Sequence, residues 1–502
     1  MTELHPTEVV LGGPGAGKTT ELLRLAEGEL ARGVAPDRLA FLAFTRAAAS
    51  EARGRASAEL GLTAKQLRWF RTLHSVAFEA LGLTRADVLG LAHWRELGDL
   101  LGLDLGAPAE LLDGPLPVDA AEGTRLRALE QLARARALPL DAVWRELGAG
   151  VTAARLDQYA SALAAYKRDL GLVDFADMLS LFIERGGPLG VEVAFIDEAQ
   201  DLTTEQWRAA ALAVAGADRV YIAGDDDQAV YQWAGADVRR FLDLGAPTRV
   251  LPVSHRLPPA IFDLARRVAE RIAPRYPKSW GPAPGAGSVA RVVEPELVDL
   301  RAPGSWLLLA RHRHQLARLA RCARAAGVPY SVNGAPAVSA VDVRVIRAYE
   351  ALRAGKAVGW DAAELVISAM LVDPYVPPDA AGVVDRPWTA TDLGLDCRAI
   401  WHDALVGLDL DDREFYLACR RRGEALDGPP RARVATIHGA KGAEADRVLV
   451  VADLTPRAMR GLELNPAAEH RVAYVAATRA KQALTLIEPQ TPAAYPWPAL
   501  TH

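Results

Sequence analysis

The sequence predicts an α/β fold built on parallel sheets, and three observations support that prediction. Short apolar runs alternate with helical stretches, the runs end in glycine-rich or acidic loops, and 50% of the 502 residues are hydrophobic. Alternation of strand, loop and helix favours a parallel sheet with helices packed on both faces. Ligands bind such a sheet at the carboxyl ends of its strands, where these loops fall.

Eight apolar runs form the predicted strands, four in each half of the chain. They cover residues 9–11, 39–44, 193–196, 219–223, 306–310, 434–436, 447–451 and 483–487. Two long stretches between them carry Leu and Ala at helical spacing with few β-branched residues, and these are predicted to be helical insertions. A Pro- and Gly-rich segment at 282–287 is predicted to be a loop.

Composition narrows the class of protein. A chain of 502 residues exceeds one hydrophobic core and suggests about three or four domains or subdomains. The net charge of −5 gives no overall basic character, so any nucleic-acid contact must rely on local positive charge. Cys322, Cys397 and Cys419 fit no metal-binding or disulfide pattern and suggest a reducing cytoplasm. Neither a secretory signal nor a membrane-spanning run is recognised, so we expect no membrane partner.

A glycine-rich loop lies directly between the first predicted strand and a helix. Its residues are Gly12, Gly13, Pro14, Gly15, Ala16, Gly17, Lys18 and Thr19. Glycines let backbone N–H groups approach phosphate oxygens closely, and the start of a helix favours negative charge. Lys18 supplies a cation for the outer phosphates, and the Thr19 hydroxyl is a ligand for Mg²⁺. The position of the loop favours a nucleotide phosphate site over a chance glycine turn.

Acidic residues end two further predicted strands. Asp197 is placed to hold a metal ion, and Glu198 is placed to polarise an attacking water. Alone, this pair is as typical of a solvated loop or a helix cap, but the phosphate loop upstream favours catalysis. Gln228, in the loop 224–228, is placed to sense the γ-phosphate or to position water, although that acidic cluster alone also fits a turn.

Seven further segments occur in the order found in one family of motor proteins. They read AFTRAAA (43–49), TLHS (72–75), FIDEAQD (195–201), GDDDQAVYQWAGA (224–236), SHR (254–256), TIHGAKGAE (436–444) and YVAATRA (474–480). Together with the phosphate loop, this ordered set resembles the superfamily 1 helicases of the UvrD/Rep type over residues 9–487. The resemblance implies two RecA-like P-loop motor domains that clamp ATP between them, each with a mostly helical insertion.

The resemblance also implies a four-part division of the chain. Residues 1–78 and 168–253 would form motor domain 1A, 79–167 its insertion 1B, 254–335 and 431–502 motor domain 2A, and 336–430 a reduced insertion 2B.

The family motifs assign further residues to the nucleotide. Arg256 and Arg479 would be arginine fingers that stabilise charge on the γ-phosphate, and Glu444 would contact the ribose. Thr20 and His255 stand where family members commonly carry an Arg and a Tyr that flank the base. The leader 2–8 lacks the signature that reads adenine. These departures predict relaxed selectivity for the base.

Single-stranded nucleic acid is gripped by aromatic stacking and phosphate contacts. The residues that we assign to DNA are Phe44, Arg46, His74, Tyr231, Trp233 and His438. Tyr231 and Trp233 follow Gln228 closely, so one segment can report the state of ATP to a stacked base. Phe44, by contrast, is more typical of a core residue at a strand end. Ala234 replaces the Arg that the family carries after the Trp.

Three hypotheses about function follow. The leading one is an ATP- and Mg²⁺-dependent DNA helicase that moves 3′ to 5′ along single-stranded DNA and unwinds duplex at junctions; the polarity rests on the resemblance alone. The second is a DNA-stimulated ATPase subunit of a larger repair, recombination or defence complex, which does not unwind alone. The third is a P-loop enzyme unrelated to DNA, such as a small-molecule kinase. The sequence leaves the pathway, the oligomeric state and the protein partners open.

Overall fold

The computed structural model describes residues 4–105, 120–148, 150–371 and 386–500. The chain forms two compact units. The first contains Met1–Ser288, Pro456–Thr478 and Trp497–His502, and the second contains Val289–Thr455 and Arg479–Pro496. Within the described ranges, no helix is both long and apolar enough to cross a bilayer.

The strands are numbered in chain order. They are β1 (Glu8–Leu11), β2 (Leu39–Ala43), β3 (Trp69–Thr72), β4 (Val193–Ile196), β5 (Arg219–Gly224), β6 (Thr248–Val250), β7 (Ser288–Val292), β8 (Trp306–Ala310), β9 (Tyr330–Val332), β10 (Ala335–Pro336), β11 (Ala432–Thr436), β12 (Ala445–Val451) and β13 (Ala480–Ile487).

The α-helices follow the same order. They are α1 (Lys18–Ala31), α2 (Arg46–Leu60), α3 (Leu73–Ala80), α4 (Leu91–Leu101), α5 (Glu122–Arg136), α6 (Leu140–Leu147), α7 (Ala153–Leu170), α8 (Phe175–Arg185), α9 (Thr204–Ala213), α10 (Val238–Leu242), α11 (Pro259–Ala269), α12 (Arg313–Ala325), α13 (Ala340–Arg353), α14 (Trp360–Met370), α15 (Trp401–Ala404), α16 (Leu410–Arg421), α17 (Pro456–Leu464) and α18 (Pro466–Ala477).

The first unit is organised around a six-stranded parallel sheet with the order β3-β2-β4-β5-β1-β6. Every residue of β2 and β4 is buried. Continuous apolar runs of this kind are what a parallel sheet covered on both faces requires. The predicted strands at 9–11, 39–44, 193–196 and 219–223 coincide with β1, β2, β4 and β5 to within a residue, and the α/β fold class is confirmed.

The strand order brings three loops of interest to one edge of this sheet. Strand β5 pairs with β1 on one side and with β4 on the other, and Leu11 lies opposite Gly224 while Ile196 lies opposite Ile222. The phosphate loop leaves β1, the acidic segment leaves β4, and the loop 224–228 leaves β5, all in the same direction. Residues separated by about two hundred positions in sequence therefore become neighbours.

The second unit contains a seven-stranded sheet with the order β10-β9-β11-β8-β12-β13-β7. The central pairs β11–β8, β8–β12 and β12–β13 are parallel, whereas β9 and β10 form an antiparallel pair. The predicted strands of the second half of the chain fall within β8, β11, β12 and β13. The unit thus repeats the parallel-sheet architecture that the sequence predicted.

Each unit also carries a helical segment, and the two segments pack differently. Helices α4 to α7 bury Trp94, Leu126 and Tyr159 in a core distinct from that of the sheet. In the second unit, α13 to α16 pack with Trp388 and Tyr416 against the sheet in a shared core. Both segments lie where helical insertions were predicted.

The four-part division stays a prediction, and the compact units group the chain differently. Residues 254–288 and 456–478, assigned above to motor domain 2A, lie in the first unit. Hydrogen bonds hold them there: Ser254 Oγ donates to the Pro14 carbonyl at 2.8 Å, and Arg471 Nε donates to the Asp226 carbonyl at 2.8 Å. The parts of the predicted ranges that lie outside the described residues are 1–3, 106–119, 149, 372–385 and 501–502.

A cluster of ionisable side chains joins α5, α7 and the start of α8. Arg134 donates to Asp174 at 3.0 and 3.1 Å and to Asp177 at 2.6 Å, and Lys167 donates to Asp174 at 2.7 Å. Glu130 is 8% exposed and lies 3.5 Å from Arg134. Burial raises the pKa of Glu130 to about 7, and the Arg134 charge offsets this effect only in part.

We expect Glu130→Gln to stabilise the protein in a pH-dependent way. Because the folded-state pKa of Glu130 lies above its ordinary value of 4.5, the folded chain binds a proton that the unfolded chain releases. The resulting loss of stability is absent below the ordinary pKa and complete above about pH 7. The variant should exceed the wild type by about 1–3 kcal/mol near pH 8, and by roughly nothing near pH 4.

Chemical denaturation across that pH range measures the effect. Glu51→Gln, an exposed carboxyl on α2, is the matched control and should show no such trend. A stability difference for Glu130→Gln that stays constant with pH would contradict the assignment.

Candidate active site

The loop between β1 and α1 has the backbone that a phosphate site needs. Gly15 and Gly17 have φ angles of 72° and 81°, in the left-handed region that side chains disfavour. Gly17 is also the N-cap of α1, so the first N–H groups of the helix point out of its start. Free N–H donors and the positive end of a helix dipole together favour an anion. Ala16 is buried in the same turn.

Lys18 and Thr19 begin α1 and turn two different groups toward the site. The Lys18 ammonium is buried and donates to the Gly12 carbonyl at 3.0 Å, so it lies folded over the loop. The Thr19 hydroxyl donates to Asp197 Oδ2 at 2.6 Å. This bond brings together the two residues predicted to hold a metal ion. Their oxygen atoms are the donors that Mg²⁺ prefers.

Glu198 occupies a strained position directly after Asp197. Its φ angle is 54°, which is unusual for a residue with a side chain, and its N–H donates to Asp197 Oδ1 at 2.9 Å. Burial, and secondly the charge of Glu198, raise the pKa of Asp197 to about 6. The side chain of Gln200 holds Glu198 from the other side, donating to its Oε2 at 2.5 Å.

A chain of hydrogen bonds runs from Glu198 to Gln228. Gln200 is fully buried, and its Oε1 accepts from the Asp225 N–H at 2.9 Å. The Asp225 carboxylate then accepts from Gln228 Nε2 at 2.7 Å. The residue predicted to polarise water and the residue predicted to sense the γ-phosphate are therefore linked through two buried residues, Gln200 and Asp225.

The segment that follows β6 is bonded to the phosphate loop. Ser254 Oγ donates to Pro14, and the His255 N–H donates to the Gly15 carbonyl at 2.8 Å. A Cβ at Gly15 would lie only 2.4 Å from the Cβ of Arg256, so no other residue fits beside Arg256. His255 and Thr20 have exposed side chains, while Gly12 and Gly13 are buried in the loop.

The remaining nucleotide residues lie in the second unit. Arg479 is 2% exposed and donates to the Ala443 carbonyl at 3.3 Å. Glu444 forms an ion pair with Lys481. Their predicted roles at the γ-phosphate and the ribose stay predictions.

Three of the predicted DNA residues form an aromatic row in the first unit. The ring of Phe44 stacks on Tyr231 with centroids 5.7 Å apart, and Trp233 lies 6.4 Å from Tyr231. All three rings are half-buried. Because Phe44 follows β2 and Tyr231 follows β5, this row lies along the edge of the sheet that carries the phosphate loop.

The other predicted DNA residues have different surroundings. Arg46 is exposed at the start of α2, and half-buried His74 is the second residue of α3. Burial, with a smaller contribution from the Arg46 charge, lowers the pKa of His74 to about 4, so its ring is neutral at pH 7. His438, in the second unit, is only 1% exposed. Burial and then the charge of Arg311 lower its pKa well below the ordinary value.

Sequence reasoning missed the cations that surround the loop 224–228. Lys278 contacts all three aspartates of the loop, and Arg275 donates to Asp227 at 2.9 and 2.6 Å. Their segment was assigned only to motor domain 2A, within residues 254–335, and neither cation was given a role. One signal was present: three consecutive carboxylates at the end of a buried strand need positive partners nearby.

The fold and this site define a P-loop nucleotide hydrolase. Comparison with known protein families then identifies the family of this hydrolase. The UvrD/REP helicase N-terminal domain matches residues 1–97 and 148–248, and the UvrD-like helicase C-terminal domain matches residues 419–491. Together these matches cover more than half of the chain. The chain belongs to the UvrD/Rep-like family of superfamily 1 ATP-dependent DNA helicases, and the predicted resemblance is confirmed.

Individual relatives are similar at low identity. The ATP-dependent DNA helicase UvrD2 of Mycobacterium tuberculosis is 25% identical over 556 residues, which cover 95% of this chain and 76% of that protein. DNA helicase II of Escherichia coli is 27% identical over 297 residues, covering 52% of this chain and 38% of the relative. An arterivirus nonstructural protein 10 helicase structure has 14% identity and a TM-score of 0.37, and covers 97% of this chain and 60% of its own. A likeness at that TM-score does not bear on function.

We expect Lys18→Ala to abolish ATP hydrolysis. The change removes the buried cation at the start of α1, which no neighbouring side chain in the loop can replace. Turnover and binding of a fluorescent nucleotide measure the effect. Lys65→Ala, which removes an exposed lysine, is the control and should behave as the wild type. Near-normal turnover of Lys18→Ala would rule out this loop as the phosphate site.

Proposed function

We propose that this chain uses ATP hydrolysis to move 3′ to 5′ along single-stranded DNA and to unwind duplex at single-strand/duplex junctions. Membership of the family supports helicase activity, and the named relatives are DNA helicases. The direction of movement is taken from the family resemblance. Repair or replication of DNA is the setting that such relatives suggest. Three buried free cysteines are consistent with action in the reducing cytoplasm.

One observation carries this proposal. The hydrogen-bond chain from Glu198 through Gln200 and Asp225 ends at Gln228, three residues before Tyr231. The same short stretch of backbone thus carries a group linked to the hydrolytic carboxylate and a ring in the aromatic row. An enzyme that does not couple ATP hydrolysis to a nucleic-acid strand has no need of this link.

The site suits a nucleoside triphosphate with Mg²⁺. Glycines with left-handed backbone, a helix start and a buried lysine fit the phosphates, and Thr19 and Asp197 offer oxygen ligands to the metal ion. When bound, Mg²⁺ would neutralise charge on the outer phosphates. Lys18 binds the same charge from the protein, and Glu198, held by Gln200, orients water and accepts its proton.

Further groups complete the proposed nucleotide site. Arg256 and Arg479 would act as arginine fingers, Glu444 would contact the ribose, and the exposed His255 and Thr20 would border the base. His255 and Thr20 replace the Tyr and Arg that the family commonly carries at these positions, which supports relaxed nucleotide selectivity. In this proposal the chain is divided into motor domains 1A and 2A with insertions 1B and 2B.

The proposed strand contacts combine stacking and charge. Phe44, Tyr231 and Trp233 offer ring faces, and the exposed Arg46 offers a cation for a backbone phosphate. His74 is neutral and suits a hydrogen bond rather than an ion pair. His438 would contribute from the second unit.

Hydrolysis and strand separation test the proposal directly. The purified chain should hydrolyse ATP faster when single-stranded DNA and Mg²⁺ are present, and chelation of Mg²⁺ should stop turnover. Duplexes with a 3′ tail should be separated and those with a 5′ tail should not. Lys18→Ala provides the inactive control.

The alternatives give different results in the same assays. DNA-stimulated hydrolysis without strand separation would favour an ATPase subunit of a larger complex. Hydrolysis that DNA leaves unchanged would refute a DNA motor of either kind.

We expect Trp233→Ala to weaken single-strand binding by about 1–3 kcal/mol, the usual worth of one base stacked on an aromatic ring. Fluorescence anisotropy with labelled oligonucleotide measures the affinity, and thermal unfolding checks that the fold survives. Trp360→Ala removes a half-buried ring from α14 that no predicted contact includes, and serves as the matched control. Wild-type affinity in Trp233→Ala would assign the ring to packing instead.

A further inference from the structure

The side chain of Lys278 is completely buried among three carboxylates in the first unit. Its ammonium lies 2.8 Å from Asp225 Oδ1 and 2.9 Å from Asp227 Oδ2, and it also contacts Asp226 Oδ1. All four side chains have 0% exposure. Buried charges cost free energy unless they are paired in good geometry. The lysine and the three carboxylates are therefore stable in the interior only together.

Lys278 favours the ionised form of the Asp225 carboxylate. Burial alone would raise the pKa of Asp225, but the charge of Lys278, with Lys18 second, lowers it below its ordinary value. In return, the three carboxylates overcome the effect of burial and raise the pKa of Lys278. Asp225 is therefore ionised, and an ionised carboxylate can only accept hydrogen bonds.

The two carboxylate oxygens of Asp225 accept hydrogen bonds from different donors. Oδ1 accepts from Lys278 at 2.8 Å, and Oδ2 accepts from Gln228 Nε2 at 2.7 Å. The lysine thus fixes the orientation of the carboxylate, and the carboxylate fixes that of the Gln228 amide. Through its backbone N–H, Asp225 also bonds Gln200, which holds Glu198.

The segment that carries Lys278 also touches the phosphate loop. A Cβ added to Gly13 would lie 2.6 Å from Cη2 of Trp280, so the indole ring covers that glycine. The Gly281 N–H donates to the Pro252 carbonyl at 2.8 Å, and the Gly281 carbonyl accepts from the Ser254 N–H at 2.9 Å. The segment from Lys278 to Gly281 therefore contacts both the loop after β1 and the loop after β5.

Arg275 provides an internal comparison. It belongs to the same segment and neutralises the same cluster, but its side-chain hydrogen bonds go to Asp227 and it is 20% exposed. Charge balance alone would make Arg275 and Lys278 equivalent. Contact with Asp225 distinguishes the lysine.

We propose that Lys278 is a positioning residue for ATP hydrolysis, holding Asp225 so that Gln228 and Glu198 keep their alignment. This inference rests on the proposed function. Lys278 acts only through Asp225 and does not reach the reacting atoms itself. Misplacement of a catalytic group by about 1 Å from a remote change can cost about 10²-fold in rate.

Three variants test the inference in the full-length chain. Lys278→Met removes the ammonium, Arg275→Met removes the neighbouring cation, and Lys278→Met combined with Asp226→Asn restores the charge balance while leaving Asp225 intact. ATP turnover with saturating single-stranded DNA gives kcat and KM, and thermal unfolding reports the fold.

We expect Lys278→Met to lower kcat about 10²-fold with KM for ATP within about threefold, whereas Arg275→Met stays within about threefold in both. The double variant should unfold at a higher temperature than Lys278→Met and yet keep its low kcat, since Asp225 is still unsupported. That combination separates alignment from charge neutralisation.

Other outcomes would overturn the inference. Wild-type kcat in the double variant would mean that the lysine only balances charge, and an equal loss in Arg275→Met would mean the same. If Lys278→Met does not fold, the double variant decides; if that also fails to fold, the lysine serves the fold and not alignment. A wild-type chain without DNA-stimulated hydrolysis would instead refute the proposed function.

Discussion

Three consecutive carboxylates buried at the end of β5 are the constraint on which the first unit depends. Carboxylates removed from water must be paired, and the chain supplies Lys278 and Arg275 from beyond α11. Arg471, on α18, donates to the Asp226 carbonyl in the same loop. This need explains why residues 254–288 and 456–478 pack with the N-terminal sheet, although both were assigned by resemblance to the second motor domain. The loop that demands these partners also holds Gln228, so the packing of the unit and the alignment of the site have one cause.

Glu198, in the candidate nucleotide site, is one of four described non-glycine residues with a left-handed backbone. Gly15 and Gly17 adopt left-handed φ angles at no steric cost, but Glu198 adopts one with a side chain, at a cost of order 1–3 kcal/mol. The surroundings hold it there, because its N–H bonds Asp197 and its carboxylate bonds Gln200. A carboxylate that is already restrained loses little freedom when it orients water, which is the physical content of preorganisation.

Local patterns predicted the fold and the centre of the site, while contacts between distant segments stayed out of reach. The strands were predictable because continuous apolar runs suit a parallel sheet, and the phosphate loop because its glycines sit between a strand and a helix. Thr19 and Asp197 were each predicted as metal ligands, but the hydrogen bond between their side chains was not predicted. Lys278 was not predictable, since nothing in its own segment shows that it will be buried, and its partners lie about fifty residues earlier in sequence. The burial of His438 was not predictable either, because nothing in its own segment indicates it.

In the proposed function, the segment from Asp225 to Trp233 would couple the nucleotide site to the DNA strand within one unit. Gln228 and Tyr231 are three residues apart, a span of at most about 10 Å even when extended. The residues between them, Ala229 and Val230, are only 0% and 4% exposed, so the surrounding packing restrains this connection. If Trp233 and Tyr231 stack on bases as proposed, a base that displaced either ring would break the stacking with Phe44 or move Gln228. Because Gln228 is bonded to Asp225, and Asp225 through Gln200 to Glu198, a shift of Gln228 would reach the carboxylate proposed to orient water. The proposed coupling would thus follow from short connections and tight packing, and it would need no long-range pathway.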